Sequence, residues 1–324
     1  MIMRPFSLAL AFLIAVYGMS VGAPILNAQP YPNRTIQLVI PGSPGLMLDM
    51  PGRLISEEVA KLVNQQIVVV NKPGGSMTLG TDAVAKSKKD GYTLLFTGTA
   101  PLVYPRIMDP ESIRYDSEED LEPLGGRTII SFTLAVLESS PWKTFAELVE
   151  FAKRNPGNLR AATPGIETTA NFDLEIIQSL TGAQFNHVPI VKGPAVALLG
   201  GHIELVSIPI TETAAFAHSG KFRILLASDK LPQFPKVPTL RELGYKADLL
   251  SAWFGFYGPS GLPDEVKKVL VRAIEKGIKN PELKARLEKV NFSVDYKDPS
   301  EMRKLISEEY DTASVIAKKL GLSK

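Results

Sequence analysis

The chain has 324 residues, with 36 Lys and Arg against 34 Asp and Glu, a net charge of +2, and no cysteine. The charge balance excludes a basic nucleic-acid surface. The lack of cysteine excludes disulfides, thiolate nucleophiles, thiolate metal sites and a lipidated N-terminal cysteine. Hydrophobic residues make up 45%, so the chain can build a packed core in one large or two ordinary domains.

The first segment reads as a targeting signal. Arg4 supplies a positive start, and Phe6–Val16 is an apolar run of signal-peptide length, short for a membrane span. Small residues follow, and cleavage is expected between Ala28 and Gln29, so that residues 1–28 are removed. Cleavage after Ala23 and an uncleaved N-terminal anchor are the alternatives. No later stretch is long and apolar enough to be a transmembrane helix.

Strand and helix signals then alternate. Ile36–Ile40 reads as a strand, Pro51–Val63 as a helix, and Gln66–Val70 as a strand buried on both faces. After the turn Asn71–Gly75 come a short helix over Thr81–Lys86 and a strand over Tyr92–Phe96. Thr97–Pro101 reads as a small-residue loop, and 105–123 as a solvated acidic connection. Thr128–Leu137 reads as one long strand, and Thr144–Asn155 as a helix capped by Thr144 with Glu147 three residues on. Strands are expected at Leu159–Ala162, Gln184–Val188, Ile203–Ile208, Phe222–Ala227 and Ser251–Tyr257. Helices are expected from the 163–169 loop through Leu180, and at Pro194–Leu199, Thr211–Ala217 and Thr239–Gly244. Pro263–Lys279, Pro281–Val290 and Pro299–Leu320 close the chain, the last starting at Asp298-Pro299-Ser300-Glu301.

The βαβ units predict α/β architecture with parallel sheets. Two such sets flank strands near 128–137 and 251–257. This predicts two lobes joined by two crossover strands, the first made of 29–130 plus 254–324 and the second of 131–253. Catalytic signatures are missing. There is no G-x-S-x-G, no G-x-G-x-x-G, and Thr81-Asp82 stands where a P-loop needs Lys-Ser/Thr. His187, His202 and His218 lie far apart, so neither a metal site nor a cofactor is expected.

Three loops at the carboxyl ends of strands remain, where open α/β sheets place their ligands. The first carries Ser43, Gly45, Leu46, Met47 and Asp49; the second Thr97, Gly98 and Thr99; the third Thr163, Gly165, Glu167, Thr168 and Thr169. Hydroxyls and backbone N–H groups hold anions without adding charge, and a helix N-terminus behind a glycine loop favours the same guest. Asp49 also reads as a helix cap, and Lys192 as either a ligand contact or a solvated lysine.

Quoted in order, Tyr31-Pro32, Ile36–Pro41, Pro44-Gly45, Asp49, Arg53, Val68–Gly75, Asp90–Leu95, His187–Pro189, Leu198–Gly201, Val237–Thr239 and Trp253–Gly255 give the chain a resemblance. It is similar to the Bug family of periplasmic solute-binding proteins, the extracytoplasmic components of tripartite tricarboxylate transporters. The resemblance covers essentially the whole mature chain. It implies a two-lobed, type II Venus-flytrap fold, and a small carboxylate ligand held in the interlobe cleft by backbone and hydroxyl groups. It also implies large and small membrane transporter subunits as partners, and a monomeric, non-catalytic protein of the periplasm. A secreted two-domain α/β enzyme, or a module feeding a sensor, are the alternatives.

The departures fall near the expected cleft. Leu46-Met47-Leu48 replace a glycine-rich loop, Glu167 stands at an expected glycine, Ile190–Pro194 replace the usual Y-K-G-G, and Ile208-Pro209 replace Asp-Asn. Glu167 is therefore expected to change which solutes fit, by pairing with Lys192, by meeting a cationic or hydroxyl end of the ligand, or not at all if it faces solvent.

Overall fold

The computed structural model describes residues 30–45, 47–166 and 168–321. The expected export signal, Leu46 and Glu167 lie outside the described residues. The first elements are β1 (Ile36–Ile40), α1 (Asp49–Val63), β2 (Ile67–Asn71), α2 (Thr78–Ala85), β3 (Thr93–Gly98), α3 (Thr99–Met108) and β4 (Leu121–Ile130). There follow β5 (Phe132–Leu137), α4 (Phe145–Arg154), β6 (Leu159–Thr163), α5 (Thr169–Thr181), β7 (Phe185–Pro189), α6 (Pro194–Leu199), β8 (Leu205–Pro209), α7 (Ile210–His218) and β9 (Phe222–Ala227). The chain closes with β10 (Ala252–Pro259), α8 (Asp264–Ile278), α9 (Pro281–Glu288), β11 (Ser293–Val294) and α10 (Pro299–Leu320).

The strands form two sheets, ordered β11-β4-β10-β3-β1-β2 and β7-β6-β8-β5-β9. Both are mixed, not purely parallel. β1 runs parallel to β2 and β3, and β6 to β7 and β8, as βαβ units require. β10 runs antiparallel to β3 and β4, and β5 antiparallel to β8 and β9. β10 and β5, the strands that enter a sheet directly from the other one, run against their neighbours.

The expected single strand over 128–137 is two strands in different sheets. Ile130 pairs with Ala252, and Phe132 pairs with Pro209. The chain changes sheets at Ser131, a residue with no Gly or Pro beside it to mark the break. It returns between Ser228 and Ser251. The hydroxyls of Ser131 and Ser228 each donate to Asp229 Oδ2 at 3.1 Å, and Ser251 donates to the same oxygen. The Ser228 hydroxyl also accepts from Phe132 N–H at 3.0 Å. Both crossings are thus tied at one carboxylate.

Two faces of the first sheet are covered. On one, α1 packs against α8, burying Ile55, Val59 and Val63 against Leu270 and Ile274. Each such side chain contributes roughly 1.5–3 kcal/mol by leaving water. On the other, α10 packs on α3 and β4 and reaches α5. The start of α10 is a full capping box: Asp298 accepts from Ser300 and Glu301 N–H, and Glu301 accepts from Asp298 N–H. Thr144 caps α4 as expected, accepting from Glu147 N–H at 3.2 Å.

Three local expectations are corrected. Thr97 and Gly98 complete β3 and Thr99 opens α3, so no loop separates strand from helix. The 105–123 connection is not simply solvated: α3 runs to Met108, Tyr115 is buried with its hydroxyl on Pro101 C=O, and β4 starts at Leu121. Thr239–Gly244 is a chain of turns, with Glu242 accepting from Thr239 N–H at 3.0 Å and Gly244 at φ +87° ending it. That segment is too short to propagate a helix after its first hydrogen bonds.

Candidate functional site

The carboxyl end of β1 leads into a loop held from behind by one carboxylate. Asp49 is buried at 5% exposure. Its Oδ2 accepts from Gly45 N–H at 2.9 Å, its Oδ1 accepts from Asn71 Nδ2 at 2.9 Å, and Arg53 Nε donates to both oxygens at 3.0 Å. Asn71 also donates to Gly42 C=O at 2.8 Å. Asp49 is not the N-cap; Leu48 holds that position without a side-chain bond. Burial works to raise the Asp49 pKa, but the hydrogen bonds from Arg53, Gly45 and Asn71 overcome it and hold it below the usual carboxylate value. Gly45 has φ +77° with open space around its missing Cβ, so its glycine is required by backbone conformation rather than by close approach. Met47 is half-buried, and Leu48, which sequence reasoning had among the apolar loop residues, is packed away under Gly42.

Asp49→Ala is expected to remove about 2 kcal/mol of stability. It takes away the acceptor for three donors, one of them charged, in a buried place. Urea unfolding of the two proteins checks this; overlapping curves would mean the loop is held by something else.

At the end of β3, Thr97 and Thr99 are buried at 0% and 1% exposure. Thr97 Oγ1 has no hydrogen-bond partner among the described residues. Thr99 Oγ1 accepts from Trp253 N–H at 3.5 Å. Gly98 sits where β10 comes closest: a Cβ there would lie 1.8 Å from the carbonyl oxygen of Trp253.

In the second sheet β6 ends at Thr163, whose hydroxyl meets His187 Nε2 at 2.7 Å. Burial pushes the His187 pKa down, favouring the neutral imidazole. Thr163 also accepts from Gly165 N–H at 3.3 Å, and the Thr168 hydroxyl donates to Gly165 C=O at 2.7 Å while capping α5 at Asn171 N–H. Thr169 is the first residue of α5 and is 4% exposed. Lys192 is exposed and lines a groove of about 660 Å³ along α6, with Ile190, Val196, Leu199 and His202.

One contact joins the helices that follow the second and third loops. Tyr104, in α3 just past Thr99, places its hydroxyl 3.0 Å from Thr169 Oγ1 and stacks its ring on Phe172 with centroids 4.8 Å apart. This contact joins the middle of α3 to the first residue of α5, a helix whose N-terminal N–H groups suit an anion. No group of three or more His, Cys, Asp or Glu that could hold a metal ion occurs among the described residues. No helix among them is long and apolar enough to cross a membrane.

Sequence reasoning missed Tyr104, Glu309 and Asp229. Glu309 lies on the buried stripe Met302, Ile306, Glu309, Ala313, Ala317 of α10, a helical spacing legible in the sequence. An acid on such a stripe is the signal that was available. Asp229 carried no comparable mark.

Comparison with known proteins decides the family. The model of the tripartite tricarboxylate transporter family receptor (TctC) matches residues 52–322. The chain belongs to the TctC family. Protein BugT of Bordetella pertussis is 33% identical over 278 residues, covering 83% of this chain and 85% of that protein. A TctC solute-binding protein from Polaromonas superposes with a TM-score of 0.76 at 27% identity, over 89% of this chain and 99% of that one. MatC from Rhodopseudomonas palustris, solved with bound malate, superposes with a TM-score of 0.74 at 25% identity over 88% and 99% of the two chains. The TctC assignment carries the two-lobed α/β binding-protein fold with it, and the Bug resemblance read from the sequence is confirmed. The TctC family and these neighbours are receptors for solutes rather than enzymes.

Proposed function

We propose that this TctC-family chain is an exported, non-catalytic solute-binding protein. It captures a small organic carboxylate between its lobes and delivers it to large and small membrane subunits of a tripartite transporter. The observation that carries the reading is the Tyr104–Thr169 contact, which ties α3, the helix opened by Thr99, to the first residue of α5, where hydroxyls and N–H groups supply uncharged donors. Malate bound in a structural neighbour supports the carboxylate class. The contacting set is proposed to be Ser43–Asp49, Thr97–Thr99 and Thr163–Thr169, with Gly45 and Asp49 shaping the first loop. Glu167 and Lys192 are proposed as further members, and the lobes are proposed to divide as 29–130 plus 254–324 and 131–253. The mature chain is proposed to begin at Gln29 in the periplasm, as a monomer.

Calorimetry of the purified protein against malate, adipate, a monocarboxylate and an amino acid tests this. At least one carboxylate is expected to bind at micromolar strength, about −8 kcal/mol. No binding to any of them, with the protein folded, would sink the carboxylate class.

A further inference from the structure

Glu309 of α10 is the only carboxylate in contact with Tyr104 among the described hydrogen bonds, and it is 9% exposed. Its Oε2 accepts from Trp253 Nε1 at 2.5 Å, and its Oε1 accepts from the Tyr104 hydroxyl at 3.4 Å. The Tyr104 oxygen in turn meets Thr169 Oγ1 at 3.0 Å, and either of those two hydroxyls can be the donor. A three-member chain therefore runs from the C-terminal helix, through the first lobe, to the first residue of the second-lobe helix.

We propose that Glu309, Tyr104 and Thr169 form a proton-linked latch between the lobes, in which protonation of Glu309 reverses the hydrogen-bond chain and frees the Thr169 hydroxyl to donate to the solute. The inference rests on the reading that the Thr163–Thr169 loop lines the binding site. Each hydroxyl carries one proton, and an ionised carboxylate only accepts. With Glu309 ionised, Tyr104 donates to Glu309, and Thr169 donates to Tyr104. With Glu309 protonated by a proton from solvent, its O–H donates to the Tyr104 oxygen. Tyr104 then donates to Thr169 Oγ1, and the Thr169 proton is left for another acceptor, a carboxylate oxygen in the cleft.

The surroundings place this event in an accessible range. Burial pushes the Glu309 carboxyl up to about 7, against the opposing hydrogen bonds from Trp253 and Tyr104 and the charge of Arg127. Of the elements packed around it, α3 contributes Tyr104 and β10 contributes Tyr257, both phenols pushed up by burial and so neutral here. From β4 comes Arg127, already paired with Asp295 at 3.1 Å. From α5 comes Asp173, whose carboxyl burial pushes well above its ordinary value while its Oδ1 accepts from Leu250 N–H at 2.7 Å. Glu309 is the member placed to change charge near neutral pH.

The test uses the full mature chain without ligand first. In NMR titration, the Trp253 indole N–H, identified with Trp142→Phe, and the Thr169 methyl are expected to shift together with a midpoint near 7. Glu309→Gln should abolish both shifts. Tyr104→Phe should keep the indole shift and abolish that of Thr169. Calorimetry with malate then reads the consequence between pH 6.5 and 8.5. Wild type should lose about tenfold in affinity across that window, the size of one hydrogen bond to a charged group. Glu309→Gln should hold the low-pH affinity throughout, and Thr169→Val the high-pH affinity. An indole that does not titrate, or a Thr169 shift that survives Tyr104→Phe, overturns the latch. Flat wild-type affinity for malate that binds overturns its link to the solute. A titrating latch in a protein that binds no malate supports the latch and counts against the carboxylate reading instead.

Discussion

Gly98→Ala is expected to lower stability by about 3 kcal/mol or more, the largest loss foreseen for a single methyl group. The position has an extended φ of −150°, so alanine meets no backbone penalty there. The obstacle is across the sheet: a Cβ would sit 1.8 Å from the Trp253 carbonyl oxygen and 2.6 Å from Phe254 Cδ1. The first contact is backbone and cannot swing aside as a side chain would. Relief requires β3 and β10 to separate where they pair, Gly98 opposite Phe254. Overpacking of this kind costs about 3 kcal/mol or more, a large part of a total stability of about 5–15 kcal/mol. Circular dichroism and urea unfolding of Gly98→Ala give the answer. A variant with wild-type stability would mean that β10 is not seated against Gly98 as described. Gly45→Ala is a useful contrast, since its strain is local and φ-dependent, and the sheet would stay intact.

The second large effect is the pH dependence of stability. Burial raises the Glu309 pKa from 4.5 to about 7 in the folded state. For a group whose folded pKa is raised, the stabilisation is complete below the unfolded value and disappears as pH climbs through the folded one. Wild type is therefore expected to lose about 3 kcal/mol between pH 4.5 and 8, from the 1.36 kcal/mol that each pKa unit represents. Asp173 pushes the same way, since burial raises it also. Acids with lowered pKa values, such as Asp49 and Glu204, act in the opposite sense, but only as pH falls below their unfolded values near 4. Glu309→Gln should flatten much of the slope and be the more stable protein at pH 8. Guanidinium midpoints at pH 5, 6.5 and 8 measure it, and parallel profiles for the two proteins would show that Glu309 is not the buried titrating group.

Much of the frame was legible because periodicity reports burial. The runs Ile36–Ile40 and Phe222–Ala227 and the helix Pro194–Leu199 fall where the pattern put them. The misreadings share a cause. Thr97-Gly98-Thr99 has the composition of a turn, yet Gly98 is in a strand because Trp253, distant in sequence, passes against it. Ser131 breaks a continuous apolar run because its neighbours pair with different sheets. Local signals cannot hold facts about strands that arrive later in the chain. The candidate site divides the same way. The hydroxyl and glycine loops were visible as composition, and Thr163, Gly165 and Thr168 do bond to one another. That Asp49 faces back into its loop, and that Tyr104 joins α3 to α5, depends on three-dimensional closure.

The tie at Asp229 has a mechanical consequence. Two separate crossings would let two bodies twist and slide as well as swing. With Ser131, Ser228 and Ser251 all donating to one oxygen, the crossings meet at a single pivot, like two straps riveted together. Sliding one body past the other would have to break those bonds, whereas swinging about the pivot preserves them. Motion of the lobes is thereby narrowed towards one angular coordinate. A two-lobed receptor with that restriction has one variable to set, the angle between its lobes.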